Sequence, residues 1–342
     1  MKTVVFFNNK GGVGKTSLVY HLSWMYADLG IDVVAADLDP QANLTAMFLP
    51  EERLEELWPD GDHPDTILGA VNPILRGIGD IRAAHVETIS DRLRLIVGDL
   101  GLARFEAKLS AAWPGCMDRD ESAFRVVSSF HRLLAHAAEG SGAKCVLIDV
   151  GPNLGAINRS AIIAANYVVV PLAADLFSLQ GLRNLGPNLR EWRTEWEERL
   201  KRRPADQSLQ LPGGEMSPVG YVVLQHAVRL DRPVRAYERW MQRIPSTYRS
   251  EVLDGEGPPR ATVENDPDCL ALLKNYRSLM PLAQDAQKPM FHLTAGDGAL
   301  GGHLNAVTAC RDDFRRLARR IAKKCDLELP RSGALPGAPR IA

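Results

Sequence analysis

The chain has 342 residues, 45% of them hydrophobic, and its 41 Lys and Arg nearly balance 42 Asp and Glu. That length supports one large core, alone or with a subdomain, and the near-zero net charge excludes a uniformly basic nucleic-acid-binding surface. No apolar run reaches the ~18–20 residues of a spanning helix, and the five cysteines (116, 145, 269, 310 and 325) include no C-x-x-C pair, which argues against a clustered-thiolate site and fits a reducing cytoplasm.

In chain order, residues 3–8 form a short apolar run rich in β-branched and aromatic side chains, and they predict a buried strand. The segment Lys10-Gly11-Gly12-Val13-Gly14-Lys15-Thr16 follows. From 16 to 29 apolar residues recur at helical spacing, at Leu18, Leu22, Met25, Tyr26 and Leu29, and Gly30 predicts the stop. Glycines between a strand and a helix N-terminus let backbone N–H groups turn toward one anion, and the helix dipole adds positive charge. The segment ends in G-K-T, as a phosphate loop does, although the first glycine of the usual pattern would fall at Asn9. Six fixed letters at roughly 7% usage each arise by chance about 10⁻⁷ times per starting point, so a merely flexible Gly-rich turn is set aside. In this setting Lys15 reaches the β- and γ-phosphates of a nucleotide and the Thr16 hydroxyl ligates Mg²⁺. Lys10, Gly11, Gly12, Val13, Gly14 and Ser17 complete the expected cradle.

A second strand is expected at 31–36, ending in Asp37-Leu38-Asp39-Pro40-Gln41-Ala42-Asn43. Alternation puts Asp37 and Asp39 on one side of the strand end, where acidic groups of a parallel sheet face the ligand crevice. One carboxylate can act in the Mg²⁺ shell and the other can orient the attacking water. An acidic turn started by Pro40 and Asn43 is the plainer alternative, and it loses force beside the loop. A third apolar run, 145–149, again ends in an aspartate and fits a Walker B strand, with Asp149 binding Mg²⁺ through water. Further strands are expected at 93–97, 167–171 and 219–224, the last preceding Gln225, with a weaker candidate at 289–293. Helical patterns cover 53–57, 105–112 and 123–138.

Near-continuous apolar strands separated by helices predict an α/β fold, a doubly wound, mostly parallel sheet flanked by helices. Residues 1–329 read as one domain, with a helical elaboration at roughly 50–140 and a surface excursion at roughly 200–218. Residues 330–342, rich in Pro and Gly, read as a disordered tail. The start runs straight into a strand, so no signal peptide is expected.

Local charge says more than net charge. Residues 311–324 hold seven basic residues, Arg311, Arg315, Arg316, Arg319, Arg320, Lys323 and Lys324, against Asp312 and Asp313. Phe314, Leu317, Ala318, Ile321 and Ala322 share one helical face, so the helix should dock on the sheet and carry a basic ridge outside. A second cluster runs through Arg229, Arg232, Arg235, Arg239 and Arg243. A solvated helix with dipole-favoured charges and a non-specific DNA surface are both open readings.

Four segments carry a resemblance: KGGVGKT at 10–16, DLDPQAN at 37–43, VLIDVGPNLG at 146–155 and PLAADLFSLQGL at 171–182. In these the chain resembles the ParA/MinD family of deviant-Walker P-loop ATPases, most of all the ParA/Soj branch. The resemblance implies that Lys10 is a signature lysine crossing a dimer interface to the partner's nucleotide. It also implies that Lys15 is the Walker lysine, that Asp39 positions the hydrolytic water, and that Thr16, Asp37 and Asp149 surround the metal. It implies ATP and Mg²⁺ as cofactors, a homodimer on ATP binding and non-specific DNA binding through Arg229, Arg232, Arg315, Arg316, Arg319, Arg320 and Lys323. A ParB-like or other activator, no membrane and a nucleoid-associated cytoplasmic protein complete the expectation. Two departures stand out. After the Walker B aspartate the family has Thr or Cys and then Pro-Pro, whereas this chain has Val150-Gly151-Pro152. The adenine contact is not evident, and Gln225 is the candidate for it. A regulatory or anti-phage ATPase with the same dimer switch, and a metabolic ATP-dependent enzyme of the same fold, are the alternatives.

Overall fold

A computed structural model of the chain describes residues 1–205, 208–224, 234–255, 262–276 and 278–330, with side chains at 234–237 outside that description. Eight strands form one sheet: β1 Lys2–Phe6, β2 Val33–Asp37, β3 Val86–Ser90, β4 Leu93–Ile96, β5 Cys145–Asp149, β6 Tyr167–Ala173, β7 Ser217–Leu224 and β8 Cys269–Leu273. Their spatial order is β3-β4-β2-β5-β1-β6-β7-β8. Every pairing is parallel except the β3–β4 hairpin at one edge.

Alternation along the strands explains why helices cover both faces. Val5, Val34, Ala36, Val146, Ile148, Val168 and Val170 point into one core, and Val4, Phe6, Val33, Ala35, Leu147 and Val169 into the other. The helices are α1 Lys15–Asp28, α2 Asn43–Phe48, α3 Glu51–Leu57, α4 Ile67–Arg76, α5 Phe105–Gly115, α6 Glu121–Val127 and α7 Ser129–Ser141. They continue with α8 Ala156–Ile163, α9 Leu176–Leu200, α10 Val234–Met241, α11 Ile244–Thr247, α12 Met280–Asp285 and α13 Gly302–Lys324. Helices α4 to α9 pack on the first face, and α1, α2, α3, α12 and α13 on the second. The expected apolar stripe of α13 is buried, with Phe314, Leu317, Ala318, Ile321 and Ala322 all inside.

Three expectations change. Residues 289–293 are not a strand. Met290–His292 is a 3₁₀ turn whose Phe291 is buried against the His21 and Phe314 rings, so its apolar residues plug a gap between α1 and α13. The pattern at 123–138 is two helices meeting at Ser128. Strands β3 and β8 were not expected. VETIS in β3 is rich in β-branched residues but short and broken by Glu87 and Ser90, and CLALL in β8 is apolar without a β-branched residue and reads as well as a helix segment. In the excursion, Leu209 and Met216 are buried and the Trp196 Nε1–H donates to the Pro212 carbonyl at 2.9 Å. Residues 331–342, expected as a tail, lie outside the described residues.

Candidate functional site

The loop after β1 is shaped by Asn8, which sequence reasoning left unassigned. Its Nδ2 donates to the Pro171 carbonyl at 2.7 Å, and its Oδ1 accepts from the Lys10 N–H at 3.0 Å. Asn8 thereby ties the loop to β6. Val13 is buried and anchors the loop, while Gly11 and Gly12 are exposed. Gly14 is the N-cap of α1 at φ 78, and no side chain caps the helix. The positive φ calls for glycine, and a Cβ at Gly14 would also push on the Leu224 Cδ1 at 2.5 Å. Uncapped N–H groups at the head of α1 are the anion-binding arrangement that the sequence predicts.

These groups open into a cavity of about 720 Å³ lined by Lys15, Thr16, Ser17, Asp39 and Pro152. The Lys15 Nζ donates to the Lys10 carbonyl at 3.3 Å. Lys15 is 7% exposed, and burial lowers its pKa against the opposing pull of Asp149 and Asp39. A second cavity of about 200 Å³ shares Gly12, Gly14, Ser17 and Met280 and adds Leu224, Asn275 and Tyr276. Asn275 and Tyr276 follow β8, and nothing in their local sequence marks them. Gln225, Arg229 and Arg232 lie outside the described residues.

Strand pairing sets the acidic groups. Asp37 and Asp149 are direct register partners across β2 and β5. The Asp37 Oδ2 accepts from the Thr45 N–H and hydroxyl, both at 2.8 Å, and its Oδ1 accepts from the Asp39 N–H at 3.3 Å. Asp37 therefore orders the turn from 39 to 45. Asp39 faces the cavity, with its Oδ1 accepting from the Gln41 N–H at 3.0 Å. Asp149 is fully buried, and neither of its oxygens has a donor in hydrogen-bond geometry, although the Thr16 hydroxyl lies beside it. Burial, then repulsion from Asp37, pushes the Asp149 carboxyl well up, with Thr16 and Lys15 opposing. Burial pushes Asp37 up to about 7, with the Thr45 hydrogen bonds opposing. Two buried carboxylates side by side, with both oxygens of Asp149 unmatched, call for a cation. Among the described residues no cluster of three or more His, Cys, Asp or Glu is gathered for a metal, so Thr16 and Asp149 fit Mg²⁺ only as part of a shell completed by phosphate and water.

Gly151, the family departure, lies against Asp39. A Cβ there would meet the Asp39 Oδ1 at 3.2 Å. Lys10 does not line either cavity. Its ammonium is paired with Asp175 of the same chain, the N-cap of α9, and lies 5.9 Å from the centre of the exposed Phe177 ring. Asp175 sits inside one of the four resembling segments, yet only the fold brings it to Lys10.

The basic residues of α13 divide. Arg315 and Arg316 pair with Asp312 and Asp313, and Lys324 with Asp268. Arg316, Arg319, Arg320 and Lys323 line a groove beside β8, where Arg320 donates to the Leu270 carbonyl at 3.3 Å. Among the described residues no helix is long and apolar enough to cross a membrane.

Comparison with known proteins agrees with this fold. An AAA-domain family (AAA_31) matches residues 1–202. Protein IncC of Escherichia coli is 30% identical over 256 residues, which is 74% of this chain and 61% of IncC. The chain thus spans about three fifths of the length of that relative. A Corynebacterium diphtheriae protein superposes with a TM-score of 0.65 at 22% identity, covering 95% of this chain and 99% of that one. A putative plasmid partition protein from Borrelia burgdorferi, solved bound to AMPPNP, superposes at 0.55 with 17% identity, covering 94% and 99%. With the family match over 1–202 and the loop, strand ends and sheet order just described, this chain belongs to the AAA-domain family of ParA/MinD type.

Proposed function

We propose that residues 1–329 form one ATPase unit that binds and slowly hydrolyses ATP, dimerises on ATP, binds DNA without sequence preference and acts in partitioning a plasmid, chromosome or other cargo. The observation that carries the reading is the cavity in which uncapped N–H groups, Lys15, Thr16 and Asp39 converge, with the unmatched Asp149 buried behind Thr16 and Lys15. Loop amides and Lys15 would hold the phosphates, and the smaller cavity at Asn275 and Tyr276 would take the base. Mg²⁺, when bound by Thr16 and Asp149, supplies charge neutralisation at the phosphates. Asp39 would orient the attacking water from a fixed turn. Relatives described as partition proteins, one of them solved with a nucleotide analogue, support the same reading.

The Lys10–Asp175 pair gives the dimer a lock to open. A partly exposed ion pair is worth about 0.2–1 kcal/mol. Asp175→Asn keeps an N-cap for α9 and removes that hold, so the ATP concentration for half-dimerisation should fall roughly two- to fivefold. Lys10→Ala should keep nucleotide and fail to dimerise. Light scattering across an ATP titration reads both. Unchanged dimerisation of Lys10→Ala returns Lys10 to the role of a loop lysine held by Asp175.

DNA binding is tested with ATP, ADP and no nucleotide across a salt series. If six to ten phosphates are neutralised by a dimer, affinity should fall about 10³–10⁵-fold between 50 and 200 mM salt, and only the ATP form should show it. An ATP-dependent dimer that ignores DNA would place the same switch on a different partner.

A further inference from the structure

We infer that Glu106 is a positioning residue that sets the segment 150–155 over the phosphate cavity. The inference rests on the nucleotide reading of that cavity and gives the elaboration around α5 a part in it.

Helix α8 starts directly after this segment, and its N-cap, Gly155, has no side chain to offer. The cap comes instead from Glu106, fifty positions away in the first turn of α5. The Glu106 Oε1 accepts from the Ala156 N–H at 2.5 Å, and Oε2 accepts from the Ile157 N–H at 2.8 Å. A carboxylate on two orphan N–H groups at a helix head is favoured by charge-assisted bonding and by the helix dipole. The fit is close, since a Cβ on Gly155 would lie 2.6 Å from the Glu106 Oε1.

From α8 the restraint returns to the cavity. The Asn158 Nδ2 donates to the Gly151 carbonyl at 2.8 Å and to the Asn153 carbonyl at 2.7 Å. Gly151 lies against the Asp39 carboxylate, and Pro152 lines the cavity. Helix α5 is itself fixed at its far end. The Trp113 ring sits 4.1 Å from the Arg159 guanidinium of α8 and 3.9 Å from that of Arg199 of α9, and the Arg199 Nε donates to the Trp113 carbonyl at 3.0 Å. A local cap would leave the segment to set its own position. A cap supplied by α5 makes the contact between Gly151 and Asp39 depend on where the elaboration sits. Gly151 adds a conformationally free residue to the segment, so such an outside restraint has more to do.

The test uses the full chain as Glu106→Ala, the near-isosteric Glu106→Gln, and Asn158→Ala. Amide hydrogen exchange at 150–157 is read without nucleotide, and kcat and KM for ATP are read separately. In Glu106→Ala, exchange at Ala156 and Ile157 should rise at least tenfold. Its kcat should drop about tenfold with KM within twofold, because a misplaced reacting group costs rate and not ground-state binding. Glu106→Gln should recover part of both losses. Asn158→Ala should show the same split, and the double variant Glu106→Ala/Asn158→Ala should lose less than the product of the two. Unchanged exchange at Ala156 and Ile157, or a loss of rate that only tracks the folded fraction in all three variants, overturns the inference. If the wild-type chain turns over no ATP, the nucleotide reading fails, and the exchange result still decides whether Glu106 sets the segment.

Discussion

Asp39→Ala is expected to stop ATP turnover while ATP stays bound, so that the chain accumulates as a dimer. Asp39 lines the cavity from a turn pinned by its bond from the Gln41 N–H and by the Asp37 bonds to Thr45. It has no part in the uncapped head of α1, the proposed phosphate site. Losing a positioned proton acceptor costs a rate of about 10²–10⁴-fold. The fold should tolerate the change, because Asp39 adds to the repulsion that both Asp37 and Asp149 already feel. Phosphate release and light scattering at saturating ATP read the two halves. A monomer under those conditions removes the sandwich model, and undiminished turnover removes Asp39 from the chemistry.

Lys15→Ala acts one step earlier, on binding. The ammonium is held in a partly dried site by the Lys10 carbonyl, close to Asp149 and Asp39. Removing one member of a buried charge pair costs about 2–5 kcal/mol, so ATP affinity should fall by at least about 30-fold, and every ATP-dependent property should go with it. Equilibrium binding of a labelled nucleotide checks the size. An affinity within threefold of wild type would leave the loop amides holding the phosphates alone.

The loop and the acidic strand ends were legible in the chain because each is local. KGGVGKT needs its own glycines, and an aspartate closing an apolar run marks a strand end whatever its neighbours are. The central strands were legible for the same reason. What stayed hidden depends on distant partners. Asp175 looks like an ordinary helix cap until the fold sets it beside Lys10. Glu106 looks like one more acid in a helical stretch, and its two N–H donors belong to residues fifty positions on. The edge strands were missed for different reasons: β3 is a short hairpin strand that carries Glu87 and Ser90, and the apolar C-L-A-L-L of β8 has no β-branched residue to tell a strand from a helix. The run at 289–293 misled in the opposite sense, since its apolar residues serve packing between α1 and α13 and have no strand to pair with.

Among the described residues, strand β8 is the last in the sheet order and offers one side of its backbone to no other strand. The groove along it is walled by Arg316, Arg319, Arg320 and Lys323. These four outnumber Glu264 and Asp313 in the same groove, and a net positive charge beside an open edge disfavours strand addition by a second copy. The ridge thus guards colloidal stability whether or not it meets DNA. Stripping it to alanine removes a ligand contact and a gatekeeper together, and a precipitate could then pass for lost affinity. Exchanging Arg316, Arg319, Arg320 and Lys323 together for glutamate keeps one sign of charge along the edge, so solubility should hold while any attraction to a polyanion is reversed.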